Sequence, residues 1–254
     1  MQRQRPNYGI DAPGVIRNLL IVAILGLAAL LTLVLKLWNA HMRIAYALIP
    51  LMWTGLGCGF MALWMLYDSR VGKVREREQH LDRVGPWRGD EVVLDVGCGR
   101  GLFLIGAAKR LDAARGGRAV GVDLWQAEDL SGNSPAATIE NARIENVADR
   151  VEVKTADARR LPFPDGSFDV VVTSMALHNI YNAGERQTAV REIARVLKSG
   201  GRVLILDVRH INQYAATLRD AGLDARCDQG IGARLLTAIT FGSIRWGYVI
   251  GSKN

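Results

Sequence analysis

Val93-Leu94-Asp95-Val96-Gly97-Cys98-Gly99-Arg100-Gly101 is the stretch that decides the fold. A short strand-like run enters three alternate glycines and leaves into Leu102-Phe103-Leu104-Ile105, which begins an apolar helix. A strand that passes through glycines into a helix is the opening of a parallel α/β unit. Glycine allows the tight turn and lacks the Cβ that would keep a ligand away, and the helix start offers free N–H groups to a carboxylate or phosphate. A dinucleotide fingerprint, G-x-G-x-x-G, needs glycine at position 102; Leu102 stands there and Gly101 comes one step early. A nicotinamide site therefore fails by one residue.

Outward from this turn, short apolar runs alternate with amphipathic stretches. Strands are predicted at Glu91–Val96, Arg118–Asp123, Val151–Thr155, Phe168–Ser174 and Arg202–Asp207. Helices are predicted at Leu102–Leu111, at Pro135–Asn146 behind the cap Ser134, at Glu185–Leu197 before Gly200-Gly201, and at Gln213–Ala221. Ala225–Asp228 and Trp246–Ile250 suit an antiparallel pair closing one sheet edge.

The first quarter of the 254-residue chain has a different composition. Leu19 to Leu35 has no ionisable side chain, and Ile44 to Tyr67 runs 24 residues without a charge. At about 1.5 Å per residue either can cross a hydrocarbon core of about 30 Å. The reading is an antiparallel transmembrane hairpin, with spans at about 15–38 and 44–67 joined by Asn39 to Arg43. A signal peptide is the rival, but no small-x-small cleavage site follows at Leu37-Trp38-Asn39.

Arg3, Arg5 and Arg17 before the spans, and Arg70, Lys73, Arg75 and Arg77 after them, outweigh Lys36 and Arg43 in the turn and favour both termini inside. Gly55 and Gly59, with Gly57 between, give the second span a small-residue face for the first helix or for another copy of the chain. The expected division is residues 1–69 for tail and spans and 70–254 for a cytosolic catalytic domain, with Asp68 to Gly89 as a helix near the membrane surface.

Net charge is +7, and the juxtamembrane cluster from Arg70 to Arg77 points to lipid headgroups; no aromatic-interleaved basic stripe suggests nucleic acid. Cys58, Cys98 and Cys227 have neither metal-ligand spacing nor a disulfide framework, so reduced thiols and no metal are expected. Asp123 ends the second strand, where a carboxylate can accept hydrogen bonds from both hydroxyls of a ribose.

Leu94 to Gly101, Asp123, Ala156-Asp157-Ala158, Leu161-Pro162-Phe163-Pro164-Asp165-Gly166-Ser167-Phe168-Asp169 and Arg191 to Gly201 occur in this order. Together they resemble the class I S-adenosylmethionine-dependent methyltransferases, especially those acting on quinones, sterols and other small molecules. The resemblance covers roughly residues 70 to 254. It implies a Rossmann-like seven-stranded α/β sheet with an antiparallel edge, here preceded by the transmembrane hairpin.

The resemblance also implies S-adenosylmethionine as cofactor. Gly97, Cys98, Gly99 and Gly101 would receive its methionine part, and Asp95 would orient the loop or the methionine ammonium. Asp123 and Leu124 would face the ribose, Asp157 and Ala158 the adenine, and Ser174 would line the site from the fourth strand. Trp125 is a candidate cover for the adenine face.

His178, just past the fourth strand, is the candidate base, with Asn179 and Tyr181 positioning an acceptor. His210 is a second base candidate. Arg186, Arg191 and Arg195 read as a solvated helix face with Glu185 and Glu192. The segment Pro6 to Asp11 could fold back as a lid over the active site.

The expected partner is a small lipophilic substrate at a membrane, and the expected location is a bacterial inner membrane with the catalytic domain cytoplasmic.

 The enzyme-class rival is a nicotinamide-dependent oxidoreductase, disfavoured by Leu102; the non-enzyme rival is a catalytically silent, membrane-tethered cofactor-binding module.

Overall fold

Four of the five short apolar runs become the centre of one sheet because each buries both faces, as parallel strands flanked by helices must, while the fifth, Val151–Thr155, is a partly exposed edge strand. The computed structural model describes the backbone of residues 5–37, 42–126, 128–230 and 246–254, and the side chains of these residues except 36, 37, 42–48 and 51. The chain divides into two compact units: Met1–Tyr8, Arg75–Trp125 and Asn133–Asn254 form one, and Gly9–Val74 with Gln126–Gly132 form the other.

The first unit is a seven-stranded sheet of order β3-β2-β1-β4-β5-β7-β6. Its strands are β1 (Val92–Val96), β2 (Arg118–Asp123), β3 (Val151–Thr155), β4 (Phe168–Ser174), β5 (Leu197–Asp207), β6 (Leu223–Asp228) and β7 (Gly247–Lys253). β7 runs antiparallel to both β5 and β6, and the pairings among β1 to β5 are parallel. The seven strands and the antiparallel edge agree with the sequence reading. Leu94, Val96, Val120, Val122, Val171 and Ile205 carry the largest cluster of buried apolar side chains across the middle strands.

The helices of this unit are α4 (Leu102–Ala108), α5 (Pro135–Ile144), α6 (Ala183–Val196) and α7 (Ile211–Asp220). Ser134 caps α5 by accepting from the Ala137 N–H at 3.2 Å, with Pro135 in the first turn. α6 is capped by Asn182 rather than beginning at Glu185. Its C-terminus differs more: the chain enters β5 at Leu197 without a turn, and the β4–β5 register shifts between Phe168 and Val170. Gly200-Gly201 thus belongs to an irregular start of β5 instead of following a helix stop.

In the second unit, α1 (Pro13–Leu37) and α2 (Met42–Tyr67) pack against each other. A Cβ on Gly55 would come within 2.6 Å of the Gly26 Cα, and one on Gly59 within 3.3 Å of the Ala23 Cβ, while Gly57 faces open space. The small-residue face therefore meets the first helix through Gly55 and Gly59 and excludes Gly57. Large apolar side chains point outward on both helices, among them Ile24, Leu31, Trp53, Phe60 and Leu63. Thr32 and Thr54 return their hydroxyls to the Ala28 and Pro50 carbonyls, which satisfies them within their own helices.

Among the described residues one helix, Pro13–Leu35, is long and apolar enough to cross a membrane, with a mean hydropathy of 2.7. The second expected span, 44–67, is helical, but the side chains of 44–48 and 51 lie outside the described residues. So do Arg3 and the expected turn at residues 39–41.

The expected surface helix from Asp68 to Gly89 is instead a π-helical turn, Asp68–Gly72, followed by α3 (Lys73–Arg83) and a loop. Its basic cluster is partly used internally. Lys73 donates to Asp11 and to the Gly9 carbonyl, and Arg77 is buried, donating to the Tyr8 hydroxyl and to Glu78. Charge that is already paired and buried is withdrawn from any lipid headgroup.

Candidate active site

The order of the strands reverses between β1 and β4, and in open α/β sheets ligands bind beyond the carboxyl ends of strands at such a point. The glycine turn lies there. Gly97 and Gly101 have φ of 73° and 85°, a region that side chains enter only with strain. Space forbids them as well: a Cβ on Gly97 would lie 2.2 Å from the Ala176 Cβ, and one on Gly101 2.8 Å from the Thr138 Cγ2.

Asp123 ties β2 to this turn. Its carboxylate accepts from the Gly99 N–H at 2.8 Å, the Trp125 N–H at 2.6 Å and the Asn133 amide at 3.2 Å. Trp125 has its indole N–H on the Thr155 hydroxyl at 2.8 Å, which fixes the ring beside the end of β3. From the other side, Thr138 donates to the Gly99 carbonyl at 2.7 Å and Asn141 to the Arg100 carbonyl at 2.9 Å. These two α5 residues, one turn apart, hold consecutive loop carbonyls. The sequence reading missed both.

Asn141 also takes the N-terminal segment. Its side chain accepts from the Asn7 N–H and donates to the Asn7 carbonyl, both at 2.9 Å. Arg100 donates to the same carbonyl at 2.7 Å, and the buried Tyr8 hydroxyl donates to Glu145 at 2.9 Å. Residues 7 and 8 are thus built into the first unit beside the glycine turn.

Asp95 is 1% exposed, and neither carboxylate oxygen has a hydrogen-bond partner among the described residues. It therefore does not orient the loop by hydrogen bonding, as the sequence suggested; Asp123 and α5 do that. Burial pushes the Asp95 carboxyl up to about 8, and the Asp123 charge adds to it. Burial likewise raises the Cys98 thiol, so a buried, neutral side chain lines the turn. Leu124 is exposed, while Ala158 and Ser174 are half-buried. Asp157 pairs with Arg159 at 2.6 Å, and that guanidinium holds its carboxyl below the usual range.

At the ends of β4 and β5 the chain builds an acid–base pair. His178 lies in the short helical turn Leu177–Asn179, and its Nδ1 is 2.6 Å from Asp207 Oδ1. Asp207, the last residue of β5, is 1% exposed and also accepts from the His178 N–H at 3.0 Å, the Val208 N–H at 2.7 Å and the Tyr214 hydroxyl at 3.3 Å. Sequence reading found the histidine and missed its partner; an acidic residue ending an apolar strand was the available signal.

Asn179 is half-buried, and the Tyr181 side chain is 94% exposed. His210 has its ring centroid 6.4 Å from that of Tyr214, and burial followed by the Arg186 charge lowers its pKa. Arg186 is a correction: it is buried, donating to the Ile180 and Tyr181 carbonyls at 2.7 and 2.8 Å, so it braces the His178 loop rather than a solvated face.

Comparison with known proteins agrees with this geometry. Residues 94–205 match the methyltransferase domain family.

The chain is similar to methyltransferases of several specificities. The chain is 30% identical over 188 residues to 27-O-demethylrifamycin SV methyltransferase of Amycolatopsis mediterranei, covering 62% of this chain and 64% of that one. It is 33% identical over 123 residues to demethylmenaquinone methyltransferase of Lactiplantibacillus plantarum, covering 48% and 46%. The chain spans between 46% and 64% of the length of the first curated relatives it matches.

Two solved structures share the fold. Geranyl diphosphate C-methyltransferase of Streptomyces coelicolor, solved with S-adenosyl-L-homocysteine, gives a TM-score of 0.55 at 18% identity over 71% of this chain and 78% of that one. Phosphoethanolamine N-methyltransferase 2 of Haemonchus contortus, solved with S-adenosyl-L-methionine, gives 0.56 at 19% identity over 70% and 52%.

Proposed function

We propose that this protein transfers the methyl group of S-adenosylmethionine to a small lipophilic acceptor drawn from a membrane. The observation that carries the reading is the buried, unpartnered Asp95 carboxylate next to the glycine turn. A buried carboxyl without a partner suits a ligand that brings cationic charge, as the ammonium and sulfonium of this cofactor do, because the arriving cation stabilises its ionised form.

The residues fit the cofactor. Gly97, Cys98, Gly99 and Gly101 would admit its methionine part, and Asp95 would serve the ammonium. Asp123 and Leu124 serve the ribose, Asp157 and Ala158 the adenine, and Ser174 borders the site from β4. When bound, the cofactor supplies a methyl carbon already activated by its sulfonium. The chain then has to orient an acceptor, exclude water and accept a proton where the acceptor carries one. His178, Asn179 and Tyr181 are assigned to the acceptor side.

The membrane part of the proposal rests on parity. Asn7 and Tyr8 belong to the same compact unit as Asn141 and Glu145. Residues on either side of the α1–α2 segment therefore lie on one side of any bilayer, and the number of crossings between them is even. A crossing by α1 alone would part Tyr8 from Glu145. With apolar side chains outward on both helices, the reading is two crossings, α1 and α2, with the catalytic unit on the cytoplasmic face.

Calorimetric titration of the detergent-solubilised chain with S-adenosylmethionine, its demethylated product and NADH tests the cofactor assignment. The adenosyl ligands are expected to bind the wild type and to bind Asp123→Ala at least tenfold more weakly. Binding of NADH alone would overturn the reading.

A further inference from the structure

The His178–Asp207 pair says what kind of acceptor the site is built for. Asp207 is sealed from solvent and collects hydrogen bonds from two backbone N–H groups, a tyrosine hydroxyl and the imidazole. A carboxylate surrounded by donors is an acceptor, so His178 Nδ1 must carry the hydrogen of their 2.6 Å contact. The neutral ring is then left with its lone pair on Nε2. The side chain is 23% exposed, so the ring is held by one nitrogen while still reaching solvent. Two independent contacts to Asp207, from the backbone and from the ring, fix both position and tautomer.

A methyl acceptor needs such a device only when its nucleophilic atom holds a proton that does not leave by itself. A thiol ionises readily near neutrality, and an unprotonated amine attacks through its own lone pair; an alcohol, phenol or quinol hydroxyl needs a base. We propose that the acceptor is a hydroxyl group, with His178 as the catalytic base and Asp207 as the positioning residue that sets its tautomer. This rests on the methyl-transfer reading above. The hydroxyl proton passes to His178 Nε2 as the new O–C bond forms; the S–C bond breaks with its electron pair remaining on sulfur, and the imidazolium later releases the proton to water.

Tyr214, Arg186, Arg209 and His210 are charged or titratable side chains around this pair: Tyr214 donates to Asp207, and Arg186 holds the loop that carries His178.

The test begins without turnover. Nitrogen-15 labelling of the four histidines, with His178 assigned by its loss in His178→Ala, should show the Nδ1–H tautomer in the wild type. Asp207→Asn should lose this preference and Asp207→Glu should recover part of it. An Nε2–H tautomer in the wild type overturns the proposal whether or not the variants fold.

The second arm uses a series of lipophilic phenols of graded acidity together with a matching thiol. The rate defect of His178→Ala should exceed about a hundredfold for the weakest acid and shrink steadily towards the thiol. An equal defect for every acceptor would mean that His178 serves structure alone. Calorimetric binding of S-adenosylmethionine should be unchanged in these variants; its absence from the wild type would defeat the methyl-transfer reading and leave the tautomer result standing.

Discussion

Asp95 is where a single residue conflicts most with its surroundings. Its ordinary carboxylate pKa of about 3.9 rises to about 8 through burial, so between those values the folded chain holds a proton that the unfolded chain releases. Its contribution to stability is complete below about pH 4 and is lost as pH rises through about 8. Asp95→Asn, neutral and of the same shape, should melt within a few degrees of the wild type at pH 5 and roughly 5 °C or more above it at pH 8.5 in the absence of ligand. Equal melting differences at the two pH values would mean that Asp95 is not protonated in the folded chain. A cation arriving beside it should also expel that proton: at pH 7, binding of S-adenosylmethionine should release a fraction of a proton, visible as buffer-dependent binding heat and absent in the variant.

At the scale of elements, α5 binds the glycine turn to the N-terminal segment through one side chain. Asn141→Ala deletes three hydrogen bonds from a site 2% exposed, at an expected cost of about 2–4 kcal/mol. Cofactor affinity should fall about tenfold, and residues 1–8 should become open to protease. Unaltered affinity in a destabilised variant would confine α5 to a structural role. The strands and the glycine turn were legible in the sequence because short apolar runs and alternate glycines are local signals. The place of Asp123 at the end of β2 was legible too, but its hydrogen bonds to the Gly99 N–H and the Asn133 amide were not. The rest depended on partners distant in the chain: Arg186 is buried because two carbonyls of the preceding loop happen to face it, and Tyr8 because Arg77 and Glu145 converge on it. Helical periodicity assigns neither fate. The absence of a turn between α6 and β5 was hidden for a related reason, since Gly200-Gly201 carries the same local signal in a strand irregularity as at a helix stop.

For the whole molecule, parity makes a sidedness prediction. Single cysteines placed at Arg5 and Asn254, in a chain whose native cysteines are replaced, should react alike with an impermeant maleimide: both protected in intact cells and both labelled after permeabilisation. Opposite reactivities would exclude the paired crossing by α1 and α2. The shared amide of Asn141 also puts a clock on biosynthesis. Asn7 precedes its partner by 134 residues, so at about 5–20 residues per second the ribosome needs roughly 7–27 s to deliver it. During that interval both apolar helices have emerged while the segment ahead of them has nowhere to dock. Whatever captures Asn7 and Tyr8 first, whether chaperone, protease or modifying enzyme, competes directly with completion of the unit that holds Asn141.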